Sequence, residues 1–167
     1  PETFRIVRNL IERLEDSATG QVKLDELHVE IPEERAAQAQ VVAQVLGKDV
    51  YECFPLTEGT EPMGTDPVEL VLNRTWRPAL AVTGADGLPS IPQAGNVLRP
   101  RTRVKISLRI PPTCDPEGAV AVVKDALEAD PPHGAQVSFG NTGCAGGWNA
   151  PDLADWLVAE GRRVGEA

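Results

Sequence analysis

The sequence is short of aromatic residues, histidine, cysteine and basic charge, and each shortage closes a route. Aromatics make up 4% of the 167 residues, so a core must be built from the Val, Leu, Ile and Ala within the 41% hydrophobic content. His28 and His133 are the only histidines, and neither has a histidine three or four residues away. The spacing of a histidine metal site is therefore missing. Cys53, Cys114 and Cys144 are odd in number, far apart and without a Cys-x-x-Cys pair. That pattern argues against a disulfide framework or a cysteine zinc knuckle and predicts three reduced thiols in a cytoplasmic protein. No apolar run approaches the roughly 20 residues of a membrane span, and no secretory leader is visible. With 16 Lys and Arg against 25 Asp and Glu, the formal charge is −9. Such a balance argues against a nucleic-acid partner, because phosphate binding needs a net basic surface. The chain opens on Pro1 with no initiator Met, as expected of a processed chain or an excised fragment.

What is present reads as one α+β unit with no internal repeat. Phe4, Val7, Leu10, Ile11 and Leu14 recur at helical spacing within residues 2–16. Residues 21–31 alternate in part and read as extended. Pro32, followed by Glu33 and Glu34, opens a second helix through Leu46, with Gly47 as its stop. Residues 55–67 are loop by composition, and 68–73 fit either a short helix or a strand. A strand is predicted over 76–83, a Gly/Pro-rich loop over 84–95 and a strand over 97–110. In that last segment Val104, Ile106, Leu108 and Ile110 alternate with Arg103, Lys105, Ser107 and Arg109, the pattern of a sheet with one buried and one wet face. Asp115 caps a helix with Pro116 in its first turn, and Ala119, Val120, Val123, Ala126 and Leu127 form its core stripe. Residues 135–139 read as a further strand, 140–147 as a glycine loop and 151–164 as a final helix with Leu153, Trp156 and Leu157 on one face. The expected fold is α+β: a small antiparallel sheet with helices packed on one face, a ferredoxin-like two-layer sandwich.

No complete catalytic constellation emerges. Ser90 and Ser138 lack the Gly-x-Ser-x-Gly turn. Cys144 sits in a glycine loop with no histidine nearby in sequence. That loop, GNTGCAGG, lacks the Gly-Lys-Ser/Thr ending of a phosphate loop and reads instead as a place where backbone approaches another segment closely. The remaining feature is GNVLRPRTRVKISLRIPP, residues 95–112, where Arg99, Arg101, Arg103, Lys105 and Arg109 occur with no carboxylate. A solvated face that discourages edge pairing and an arginine clamp for a carboxylate both account for it on physical grounds.

The stretch from Thr75 to Phe139 resembles the dimerisation, or lid, domain of the zinc-dependent exopeptidases. That family includes carnosinase-type dipeptidases, glutamate carboxypeptidases, aminoacylase and the succinyl-diaminopimelate desuccinylase. The likeness rests on Trp76-Arg77-Pro78, the glycine loop from Gly84 to Gly95, Asn96 to Pro100, Leu108-Arg109-Ile110-Pro111 and Asp115-Pro116. It implies a lid over residues 1–150 with an N-terminal helical insertion, and a helix over 151–167 returning toward a catalytic domain. It implies substrate contacts from Asn96 and Arg109, the arginine holding the substrate carboxylate. It implies homodimerisation through the lid, a peptide or N-acyl amino acid substrate, and two zinc ions bound in the catalytic domain, with no metal ligand or catalytic residue in this chain. The family's His-Ser-Gly histidine and first lid strand would lie before Pro1. The alternation puts Arg103 and Lys105 on the face of Arg109, and Arg99 and Arg101 are expected to be solvated. The alternative is a free-standing α+β interaction or regulatory module that binds a small acidic ligand at the basic strand.

Overall fold

The computed structural model describes residues 1–140 and 143–165. Among them are six α-helices and two strands: α1 (Thr3–Leu14), α2 (Glu33–Leu46), α3 (Asp49–Glu52), α4 (Pro67–Thr75), β1 (Ala79–Asp86), β2 (Arg103–Arg109), α5 (Pro116–Glu128) and α6 (Asp155–Gly165). The α+β reading holds. The sheet among the described residues is an antiparallel hairpin of β1 and β2.

The helix starts follow from local chemistry. Glu2 accepts hydrogen bonds from the Phe4 and Arg5 amides and so caps α1. Asp66 does the same for α4 through the Val68 and Glu69 amides, which settles 68–73 as helix. Asp115 caps α5 with Pro116 at its first position. Pro32 is the residue before α2 rather than inside it, and Gly47 ends that helix.

The seam that α1 buries is Ile6, Leu10 and Leu14, spaced i, i+4, i+8; Phe4 is exposed. The expected stripe was right in period but rotated by part of a turn. Leu14 meets Val22, Leu27, Cys114, Ala119 and Val123 in the main core, under the inward residues Leu80, Ile106, Leu108 and Ile110 of the hairpin segment. Burying a leucine as fully as Leu14 or Leu27 contributes roughly 1.5–3 kcal/mol each. A second cluster forms where α2 packs on α4, around Ala39, Leu72 and Trp76. Val29 touches both clusters. Residues 21–31 are extended only in part: Val22 bridges to Glu15, and a short 3-10 turn covers Asp25–Leu27.

Several boundaries move. Residues 76–78 precede β1, because Trp76 closes α4. Residues 97–102 are irregular, and β2 begins at Arg103. The last helix starts at Asp155. Residues 135–139 are not a strand. Ala135, Val137 and Phe139 are half-buried while Gln136 and Ser138 are exposed, so the two-residue period is real. Neither strand of the hairpin pairs with them, and the Phe139 amide donates to the Glu128 carboxylate at 2.7 Å instead of to a ladder carbonyl.

Candidate functional site

The inward residues of β2 are taken by the core, so its alternate residues face away from the helices. Arg103, Lys105, Ser107 and Arg109 are all exposed. The register sets small residues beside them: Ala79 opposite Arg109, Ala81 opposite Ser107 and Gly84 opposite Lys105. A bulge between Val82 and Gly84 adds Thr83, whose hydroxyl donates to the Lys105 carbonyl at 3.3 Å. Gly84 brings no side chain against the Lys105 stem, and the alanines bring only methyl groups. The cations therefore stand uncovered on one face of the hairpin, with alternate residues about 7 Å apart along the strand.

Arg103 faces Asp86 at 4.0 Å, an exposed pair of little energetic weight. Among the described residues no carboxylate lies within ion-pairing distance of Lys105 or Arg109. Arg109 is thus a fixed-strand guanidinium with donors free for a bidentate partner. Arg101 is exposed, as expected. Arg99 corrects the expectation of a solvated side chain. It pairs with Glu2, its side chain is 25% exposed, and its Nε is buried without a partner among the described residues. The sequence held no signal for this, because the two residues are 97 positions apart.

Asn96 lies at a bend in the exposed loop that joins β1 to β2. That loop leaves the hairpin between Asp86 and Arg103, whereas Arg109 is at the other end of β2, about 20 Å along the strand. No hydrogen bond joins Asn96 to Arg109. Arg77 is held by Glu69 at 2.6 Å and Asn73 at 2.7 Å, so it braces α4 against the start of β1.

Among the described residues no three His, Cys, Asp or Glu side chains group to hold a metal ion. His28 is engaged with the Val22 carbonyl through Nε2 at 2.8 Å, and His133 is an exposed turn residue with φ of 58°. The described donor set does not fit a zinc pair. The cysteines are free, with Cys114 buried and its thiol pushed up by burial and by Asp115; Cys53 and Cys144 are exposed. The glycine loop does make the close approach anticipated for it: a Cβ on Gly147 would lie 2.6 Å from Pro112 Cα. Among the described residues no helix is long and apolar enough to cross a membrane.

No protein-family model matches this chain, and neither does any curated protein. Solved structures with the same fold do match. Human carnosine dipeptidase 1 aligns over 99% of this chain and 36% of its own, with TM-score 0.65 and 19% identity. The di-peptidase Dug1p from Saccharomyces cerevisiae aligns over 77% of this chain and 26% of its own, with TM-score 0.57 and 19% identity. The M20 family metallo-carboxypeptidase Sso-CP2 from Sulfolobus solfataricus aligns over 77% of this chain and 29% of its own, with TM-score 0.52 and 17% identity. The class defined at these identities is one of fold: an α+β arrangement shared with dipeptidases and a carboxypeptidase. The chain spans about a quarter to a third of the length of those proteins.

Proposed function

We propose that this chain is the lid and dimerisation domain of a metallo-exopeptidase of the dipeptidase or carboxypeptidase kind. In this reading Arg109 captures the carboxylate of a peptide or N-acyl amino acid, and Asn96, about 20 Å away along the hairpin, contacts a second substrate molecule. Catalysis, and the two zinc ions that support it, belong to a domain outside these 167 residues. Residues 1–150 are the lid and 151–167 lead back toward that domain, in the cytoplasm. The observation that carries the reading is Arg109 itself: exposed, without a carboxylate partner among the described residues, held on a strand beside the small Ala79, in a fold shared with peptidases. Its fork suits a carboxylate better than a lysine would.

Dimerisation draws support from the hairpin. A two-stranded sheet leaves one side of β1 and one side of β2 without a ladder partner among the described residues, and such edges accept another strand. The exposed Trp156 and Leu157 of α6 are apolar surface suited to cover by the catalytic domain.

Two measurements test the reading. A titration with alanylalanine, followed through the Arg109 side-chain N–H signal, is expected to shift that signal at millimolar peptide. Arg109→Lys is expected to weaken binding about tenfold, the loss of one fork hydrogen bond to a carboxylate. No shift in the unsubstituted chain would sink carboxylate capture. Light scattering over a dilution series is expected to show a dimer at micromolar concentration, and a monomer throughout would remove the dimerisation role.

A further inference from the structure

We propose that Glu2 is a positioning residue: by holding Arg99 from the N-terminal cap of α1, it sets the place of the loop that carries Asn96. The proposal deepens the reading of Asn96 as a substrate contact and rests on it.

The loop is pinned where it approaches β2. Gly87 and Arg101 close its base: Gly87 has φ of 87°, and a Cβ there would lie 2.5 Å from the Arg101 carbonyl oxygen. Next to that base, the Thr102 and Thr3 hydroxyls hydrogen-bond at 2.7 Å, and Arg99 pairs with Glu2. Both contacts reach the first turn of α1, so α1 and the loop share one anchor. Three residues before Arg99, Asn96 sits on the free side of that anchor, and Ile91, Val97 and Leu98 around it are exposed. Nothing else in the described hydrogen-bond network ties residues 94–98 to the body of the protein.

Glu2 is suited to the task because its carboxylate is already oriented. Oε1 accepts the Phe4 amide at 2.8 Å and Oε2 accepts the Arg5 amide at 2.9 Å. The helix fixes the carboxylate, the carboxylate fixes the guanidinium, and the guanidinium fixes the loop. An exposed pair of flexible side chains would contribute little. Here one partner is locked by the helix end before the other arrives, which removes much of the entropy cost of the pair.

Two variants separate anchoring from capping. Glu2→Ser keeps a good cap but cannot reach Arg99. Arg99→Gln leaves the cap untouched. Backbone ¹⁵N relaxation is expected to show ordered Asn96, Val97 and Leu98 amides in the unsubstituted chain, and order parameters falling below about 0.6 in either variant. The double variant is expected to loosen no further, because both changes break one link. Amide exchange in α1 is expected to stay within about threefold. Unchanged loop order in both variants overturns the proposal, as does loosening in Glu2→Ser alone accompanied by fraying of α1. In an alanylalanine titration, the Asn96 side-chain shift is expected to weaken about tenfold in both variants while the Arg109 shift persists. An Asn96 response equal in all forms would also overturn it. If neither signal moves in the unsubstituted chain, carboxylate capture fails, while the relaxation data still decide the anchor.

Discussion

Arg13 closes the C-terminal end of α5 from across the core, its Nη1 donating to the Ala129 carbonyl at 2.6 Å. The same guanidinium donates to Ala126 at 3.1 Å and to Asp130 at 2.7 Å. The last carbonyls of a helix have no partner inside it, and a cation there also complements the helix dipole. Arg13→Ala is therefore expected to cost about 1–3 kcal/mol, the loss of charge-assisted bonds at a half-buried site. The urea midpoint should fall with little change in slope. Arg13→Lys should recover only part, because an ammonium cannot span three carbonyls as the planar fork does.

Gly147 is the close approach that attaches the C-terminal segment. A methyl group there would meet Pro112 backbone at 2.6 Å, and backbone cannot give way as a flexible side chain could. Gly147→Ala is expected to cost about 1–3 kcal/mol through overpacking. Residues 143–165 should detach before the rest unfolds. The Arg35 bond to the Ala150 carbonyl, at 2.6 Å, would be lost with them. Faster tryptic cleavage after Arg162 and Arg163, with hydrogen exchange in α5 unchanged, checks this.

Glu128 makes the 135–139 segment sensitive to acid. Its carboxylate takes the Lys124 ammonium at 2.7 Å and the Phe139 amide at 2.7 Å, and these, in that order, hold its pKa below the usual carboxylate range. A depressed pKa in the folded state means the tether has its full charge-assisted strength above the ordinary glutamate value, about 4.3, and weakens as pH falls through the lowered value. Amide exchange at Phe139, corrected for intrinsic rate, should therefore rise as acidification passes below the ordinary glutamate range. Glu128→Gln should flatten that dependence, because a neutral amide oxygen still accepts the Phe139 N–H at every pH.

The three tryptophans report on which surface is uncovered. Trp76 is 8% exposed, whereas Trp148 and Trp156 are 80% and 68% exposed. Acrylamide is expected to quench the emission of the latter two readily and leave a protected fraction from Trp76. Trp156→Phe should remove an accessible component without moving the unfolding midpoint by more than about 0.5 kcal/mol in equivalent stability. If a second domain covers α6, adding that domain should protect Trp156.

The parts of the fold that were legible in the sequence are those decided within a few residues. Asp115 followed by Pro116 fixes the start of α5 because the cap bond spans only two or three residues. The alternation from Arg103 to Ile110 sorts the wet and buried faces because side chains along a strand alternate by geometry. Arg109 is on the wet face for that reason alone.

What lay beyond local pattern was decided by the fold. The sequence carries the same two-residue period at 135–139 as at 103–110, yet only the latter is a strand, since a ladder requires a neighbour and period does not supply one. Asn96 and Arg109 are thirteen residues apart in sequence, and it took the hairpin to set one in the connecting loop and the other at the far end of β2. Five cations in one stretch looked alike as a sequence. The tertiary structure separates them: Arg99 turns inward to Glu2, Arg103 meets Asp86, and Arg101, Lys105 and Arg109 remain open. Side-chain type and spacing set which groups were available and on which face of their own strand; only contacts between chain-distant elements could decide which of those groups were consumed by the fold and which were left unpaired.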